Sequence, residues 1–259
     1  MLFRSFKPEP HGLRFYGVIA PTRSGGVGLK IHRFKLSISN AYLIQGERPI
    51  LVDTGSPSDF ERLRAKLREQ QVEFRDLGLI VHTHIHSDHM GCTARIAAES
   101  DCPIAYHPAD QSNADRSHNG TLTGIGLRGR IMKRFFSNLK FDSIPADVDL
   151  FDGMTLNDYG ANVTVIATPG HTSGSISLIT PDGDGIIGDT IMGGYLGGAL
   201  LPQWPNYHYF ADDLAQAMKS LDSVLAQTHR ILYVGHGGPL THSDVQRWRS
   251  RHRERFISR

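Results

Sequence analysis

Leu29 and Ile31, and again Leu36 and Ile38, stand two apart, the period of a half-buried strand, so two short strands are predicted over 29–34 and 35–39. Residues 41–44 and 49–52 flank the turn-like Gln45-Gly46-Glu47-Arg48 and read as a hairpin whose second strand ends at Asp53-Thr54-Gly55. The pattern then becomes helical. Phe60, Leu63 and Leu67 form one stripe, Arg62, Arg64, Lys66 and Arg68 turn to solvent, and Ser58 with Glu61 has capping-box spacing. Leu77-Gly78-Leu79-Ile80-Val81 is a continuous apolar run, as in a strand covered on both faces.

Between 110 and 147 the pattern loosens. Ile125, Leu127, Ile131, Phe135 and Phe136 alternate irregularly with Arg128, Arg130, Lys133 and Arg134. An inserted helix or helix pair is expected, either packed on the body or lying over a site as a lid. Strand patterns return at 162–167, and at 175–179 and 185–188 around the turn Pro181-Asp182-Gly183-Asp184. A long loop rich in glycine, proline and aromatics is expected over about 193–210. Leu214, Met218, Leu221 and Leu225 recur at 4-3-4 spacing, an amphipathic helix, and 231–234 is a strand ending in Gly235-His236-Gly237. A basic last helix is expected to bury Val245, Trp248 and Phe256. No repeat or linker interrupts the chain, so 1–259 reads as one domain with a helical insertion at about 110–147. Sheets with helices outside them are the natural layer solution for two successive groups of strands and helices.

Composition narrows the function classes. With 28 Lys+Arg against 26 Asp+Glu, the formal charge of +2 is too close to balance to argue for nucleic acid or an anionic membrane surface. Residues 1–10 contain no apolar signal-peptide core, and no run approaches the ~18 apolar residues of a membrane span. A cytoplasmic protein acting on a small molecule is expected. Cys92 and Cys102 are too sparse for a disulfide framework. The 14 histidines are the unusual feature, because imidazole is the commonest metal ligand and neutral-pH proton carrier.

Four of the candidate ligands stand in Thr83-His84-Ile85-His86-Ser87-Asp88-His89. Alternate residues of an extended segment point the same way, so His84 and His86 project together from the end of the 77–81 strand, with Asp88 and His89 where the chain turns toward a helix. One pair can serve one ion and the other pair a neighbour. Other ligands must converge from other strand ends. His171, Asp189 and His236 each follow a predicted strand, with glycine nearby to let the backbone turn tightly.

The segment His84-x-His86-x-Asp88-His89, followed by Thr168-Pro169-Gly170-His171-Thr172, Gly188-Asp189-Thr190 and Gly235-His236-Gly237, is similar to the metallo-β-lactamase superfamily. The resemblance runs from Asp53 to His236. It implies an α/β fold, a four-layer αββα sandwich with two divalent metal ions at one edge. It assigns His84, His86 and His171 to one ion and Asp88, His89 and His236 to the other, with Asp189 bridging and Asp53 orienting the ligand loop. Zinc suits these donors best, with iron or manganese as alternatives. The chemistry implied is hydrolysis by a hydroxide made between the ions, with Asp88 as a proton relay.

The stretch 168–178 looks most like the glyoxalase II and thioesterase-like branch, which implies a thioester substrate. The lactonase branch is the alternative, with Tyr195 in the place of its tyrosine after the bridging aspartate. True β-lactamases carry cysteine where this chain has Asp189. Outside hydrolysis, a mononuclear iron sulfur dioxygenase would leave Asp88, His89 and His236 without a purpose, and a non-catalytic binding module would leave the whole set so. Trp204, Tyr207 and His208, in the expected loop after Asp189, are candidates to wall the metal cleft and bind substrate, or simply to cover the core.

Overall fold

The structure is a computed structural model and describes residues 29–252. The first sheet has the order β1-β2-β3-β4-β5-β6. Its strands are β1 (Lys30–Lys35), β2 (Asn40–Gln45), β3 (Ile50–Val52), β4 (Leu79–Val81), β5 (Ile104–Tyr106) and β6 (Val148–Asp149). The first three run antiparallel and β3 to β6 run parallel. The second half begins with β7 (Thr164–Ala167), β8 (Ile176–Ile179) and β9 (Gly185–Ile186). After a separate hairpin of β10 (Met192–Tyr195) and β11 (Leu200–Asn206) come β12 (Ile231–Tyr233) and β13 (Leu240–Thr241), which complete a second sheet ordered β13-β12-β9-β8-β7.

Three apolar layers separate four structural ones. Between the sheets, Tyr42, Ile44, Ile50, Val52, Leu79 and Val81 meet Val165, Ile176, Leu178 and Ile186. On the outer face of the first sheet, Leu43, Leu51, Ile80 and Ile104 pack under α1 (Phe60–Glu69) and α3 (Thr93–Ala97), the short α2 (Ser87–Met90) lying just before α3. Beyond the second sheet, Ile179, Ile187 and Leu232 pack under α6 (Leu214–Gln227) and α7 (His242–Arg251). The αββα sandwich expected from the resemblance is therefore present, and the strict inside–outside alternation along β3 and β4 builds it. Burying each such aliphatic side chain contributes roughly 1.5–3 kcal/mol. The 77–81 run is covered on both faces, as its continuous hydrophobicity predicted. No helix among the described residues is long and apolar enough to cross a membrane.

Several local expectations differ. Residues 36–39 form a tight turn instead of a second strand, because the backbone N–H and hydroxyl of Ser37 both bind the Asp59 carboxylate (3.0 and 2.6 Å). The cap before α1 is built on Ser56 and Asp59 rather than Ser58 and Glu61. Pro57 opens a one-turn 3-10 segment, and the Asp59 carboxylate accepts from Ser56 N at 3.1 Å. The expected 193–210 loop is largely the β10–β11 hairpin. Its two faces are not both buried, and a register shift between Gly193 and Tyr195 breaks any period of two. The 110–147 stretch holds α4 (Gln111–Arg116) and α5 (Gly126–Phe136), pinned to the segment after β11 by Ile125 N–H donating to Tyr209 O at 2.7 Å. Phe256 lies outside the described residues.

Candidate metal centre

Every donor stands just past a strand at one edge of the sandwich. His84, His86, Asp88 and His89 follow β4 of the first sheet, whereas His171, Asp189 and His236 follow β7, β9 and β12 of the second. The structure brings all of these together. Around one carboxylate oxygen, Asp189 Oδ2, lie the Nε2 atoms of His84 (3.7 Å), His89 (3.4 Å), His171 (3.6 Å) and His236 (3.3 Å). His86 Nδ1 is 3.1 Å from His171 Nε2, and Asp88 Oδ2 is 3.4 Å from His236 Nε2. The donor atoms of His84, His86 and His171 lie within 4.8 Å of one another, as do those of Asp88, His89 and His236.

The surroundings decide which nitrogen of each ring is available. A carbonyl can only accept, so His171 Nδ1 donates to Phe210 O (2.9 Å) and His236 Nδ1 to Ile38 O (2.7 Å). The Thr83 hydroxyl donates to Asp53 Oδ2 at 2.8 Å and therefore accepts from His84 Nδ1 at 3.1 Å. Asp53 Oδ2 also receives His89 Nδ1 at 2.9 Å, and its Oδ1 receives Thr83 N–H at 2.9 Å. Asp53 itself has φ of +60°, an uncommon conformation that aims its carboxylate at the ligand loop. In each of these rings Nε2 is left to face the centre.

Electrostatics follow from this crowding. Burial holds His84 well below the ordinary histidine value and brings His86 and His171 down to about 4, so these imidazoles are neutral with a free lone pair. Burial would raise the carboxyls of Asp88 and Asp189, but the neighbouring imidazoles outweigh it and hold both below the carboxylate range. His236 is opposed by burial yet raised to about 10 by Asp189 and Asp88.

The donor set fits divalent cations. His84 Nε2, His89 Nε2 and Asp189 Oδ1 are buried without a hydrogen-bond partner, a costly arrangement that a cation between them would satisfy. Gly235 leaves the room required: a Cβ there would collide with Asp189 Oδ1 and approach His89 Cε1 to 2.8 Å.

The neighbouring cavity, about 450 Å³, opens onto His86, Asp88, Asp189 and His236. Leu122, Met132 and Phe136 from the 110–147 stretch form one wall. Of the residues expected to wall it, only His208 does so. Trp204 is 61% exposed on β11, and Tyr207 packs against Trp248 in the outer helix layer, ring centroids 4.8 Å apart. Successive residues of an extended segment point to opposite sides, so turning Tyr207 outward sends His208 inward. Tyr195 also lies off the cavity, under the Arg128 guanidinium at 5.1 Å, while the next residue, Leu196, lines it.

One functional residue escaped the sequence reading. Asp110, fully buried after β5, accepts from Ile85 N (2.9 Å), Thr172 Oγ1 (2.9 Å), Gly174 N (2.8 Å) and Asn113 Nδ2 (3.2 Å). It ties the His84–His86 loop to the His171 loop. Its position just past an apolar strand, like that of every donor, was the available signal.

A family model described as the metallo-beta-lactamase superfamily matches residues 35–236, spanning every donor named above. The chain belongs to this superfamily. It is thereby a metal-dependent hydrolase, the enzyme class its resemblance implied. A Methanocaldococcus jannaschii protein named "Probable metallo-hydrolase" is 29% identical over 81% of this chain and 92% of its own length. The hydroxyacylglutathione hydrolase of Dechloromonas aromatica is 28% identical over 71% of this chain but only 51% of that protein. Among solved structures, a subclass B3 metallo-β-lactamase of Bradyrhizobium japonicum superposes with a TM-score of 0.62 over 92% of this chain and 93% of its own, at 19% identity. The protein TTHA1623, solved in a di-iron-bound form, is 25% identical with a TM-score of 0.56 over 81% of this chain and 92% of its own.

Proposed function

We infer that this superfamily member hydrolyses a small ester-like substrate, a thioester before a lactone, at a dinuclear centre. His84, His86 and His171 would hold one ion, Asp88, His89 and His236 the second, and Asp189 would join both. The observation that carries the reading is Asp189 Oδ2, with imidazole nitrogens from both sheets converging on it at 3.3–3.7 Å. Imidazole and carboxylate donors suit zinc, and also iron or manganese. Ions bound there supply Lewis acidity, lowering the pKa of a water and polarising a carbonyl oxygen.

The chain's own groups do the rest. Asp53 fixes the His89 ring, and Thr83 fixes that of His84. Asp88 faces the cavity with Oδ2 against His236, so its other carboxylate oxygen stands where it can relay a proton at the open edge. Leu122, Met132 and Phe136 offer an apolar wall to an acyl group and exclude water from it.

The similarity to a hydroxyacylglutathione hydrolase supports the thioester, and Tyr195, the residue that favoured the lactone, does not line the cavity beside the donors. A mononuclear dioxygenase would have no use for the convergence of Asp88, His89 and His236. The test is metal analysis of the purified protein beside a panel of thioester, lactone, β-lactam and phosphodiester substrates. Two ions per chain and thioester turnover are expected, with His86→Ala abolishing turnover while the far-ultraviolet circular dichroism stays unchanged. A fully loaded protein inert toward the whole panel refutes the hydrolytic reading.

A further inference from the structure

Of the described histidines that neither metal set uses, His208 stands among the donors. Its Nε2 lies 3.3 Å from Asp189 Oδ2, as near as that of His236 and nearer than those of His84, His89 and His171. The donor atoms of His208, His171 and Asp189 fall within 4.8 Å of one another. The ring is 8% exposed and lies edge-on to His171, centroids 4.6 Å apart, with His236 on its other side at 5.3 Å. Its Nδ1 is 3.0 Å from Phe210 O, the same carbonyl that orients His171 from 2.9 Å. Two imidazoles thus hang from the two lone pairs of one carbonyl oxygen, both presenting Nε2 to Asp189.

We propose that His208 is a further metal ligand, its Nε2 completing the coordination of the ion shared by His171 and Asp189. A side chain there also guards the cavity, because His208 lines it beside His86 and Asp88. The competing arrangement is specific. Phe210 N lies 3.2 Å from the same Nδ1, and were that N–H to donate to it, Nε2 would carry the hydrogen and donate to Asp189 without binding an ion. The shorter Nδ1–O contact and the shared use of the Phe210 carbonyl favour the ligand form.

This inference rests on the dinuclear reading, and the test separates the two. Wild-type protein labelled with 15N-histidine is loaded with 113Cd, and the imidazole nitrogens carrying one-bond cadmium coupling are identified by nuclear magnetic resonance. Coupling to His208 Nε2 as well as to His84, His86, His89, His171 and His236 is expected. Coupling to those five alone, with a proton on His208 Nε2, overturns the proposal and leaves the dinuclear reading intact. Failure to take up cadmium defeats both. As an independent measure, His208→Gln is titrated with cobalt against a chelator. Affinity for one ion is expected to fall by more than about 100-fold, beyond the 10–100-fold typical of an outer partner. An unchanged visible cobalt spectrum and affinity within about threefold of wild type would also overturn it.

Discussion

Asp110→Asn removes one acceptor while keeping the side chain's shape. The carboxylate divides its donors evenly: Oδ2 takes Ile85 N–H and the Thr172 hydroxyl, Oδ1 takes Gly174 N–H and the Asn113 amide. Whichever oxygen the amide nitrogen replaces, one backbone N–H and one side-chain donor then face another donor. A buried donor without a partner costs about 1–3 kcal/mol, so two cost about 2–6 kcal/mol. The side-chain donor can rotate away, and burial already raises the Asp110 carboxyl, so losing the charge returns part of its desolvation. A net loss of about 2–4 kcal/mol is expected, a large share of the about 5–15 kcal/mol that holds a typical protein folded. Urea unfolding in the presence of a chelator measures it. The same substitution frees the loops of His84, His86 and His171, so affinity for the ion they hold should fall by about 10–100-fold in chelator competition. A stability change under about 0.5 kcal/mol, the scale of an ordinary surface substitution, with unchanged metal affinity would refute the clamp.

Gly235→Ala should abolish metal binding while circular dichroism reports an intact sheet, since the new methyl would displace the Asp189 carboxylate; normal metal content would show that the site relaxes around it. Trp204→Ala should leave kcat/KM within about twofold on every substrate, as for other exposed positions away from a site; a selective change in substrate preference would return Trp204 to the cavity. Burial pushes the thiols of Cys92 and Cys102 up to about 12, and both are free. The folded protein should therefore resist iodoacetamide at pH 8 and react only when unfolded. Since folding raises these pKa values, the thiols' contribution to stability is complete below the unfolded value of about 9 and is lost as pH rises toward 12. Rapid labelling of the native protein at pH 8 would contradict this.

The sandwich was legible because its signals are local. The apolar runs at 41–44 and 49–52 about their turn, the unbroken apolar run at 77–81 and the 4-3-4 spacing of α6 each report one element's burial. The convergence of the candidate donors was equally legible, since strand ends mark where side chains can meet. What stayed hidden depends on contacts between distant segments. The turn at 36–39 exists because Asp59 captures Ser37, and Asp110 gains its meaning only when Ile85 and Gly174 are beside it. The β10–β11 hairpin escaped because glycines and a register shift hide its period, and with it went the side on which Trp204, Tyr207 and His208 would fall.

The donors are divided between two sheets, so an ion seated among them acts as a cross-link across the sandwich. Binding at 100 times the dissociation constant would add about 2.7 kcal/mol to the folded state. Neither half of the chain assembles the centre alone: β4 supplies His84, His86, Asp88 and His89, and the strands beyond residue 160 supply the remainder. With ions held there, the durability of the protein would be set partly by the free-ion concentration around it, and starvation for metal would loosen the join between its halves as well as silence its chemistry.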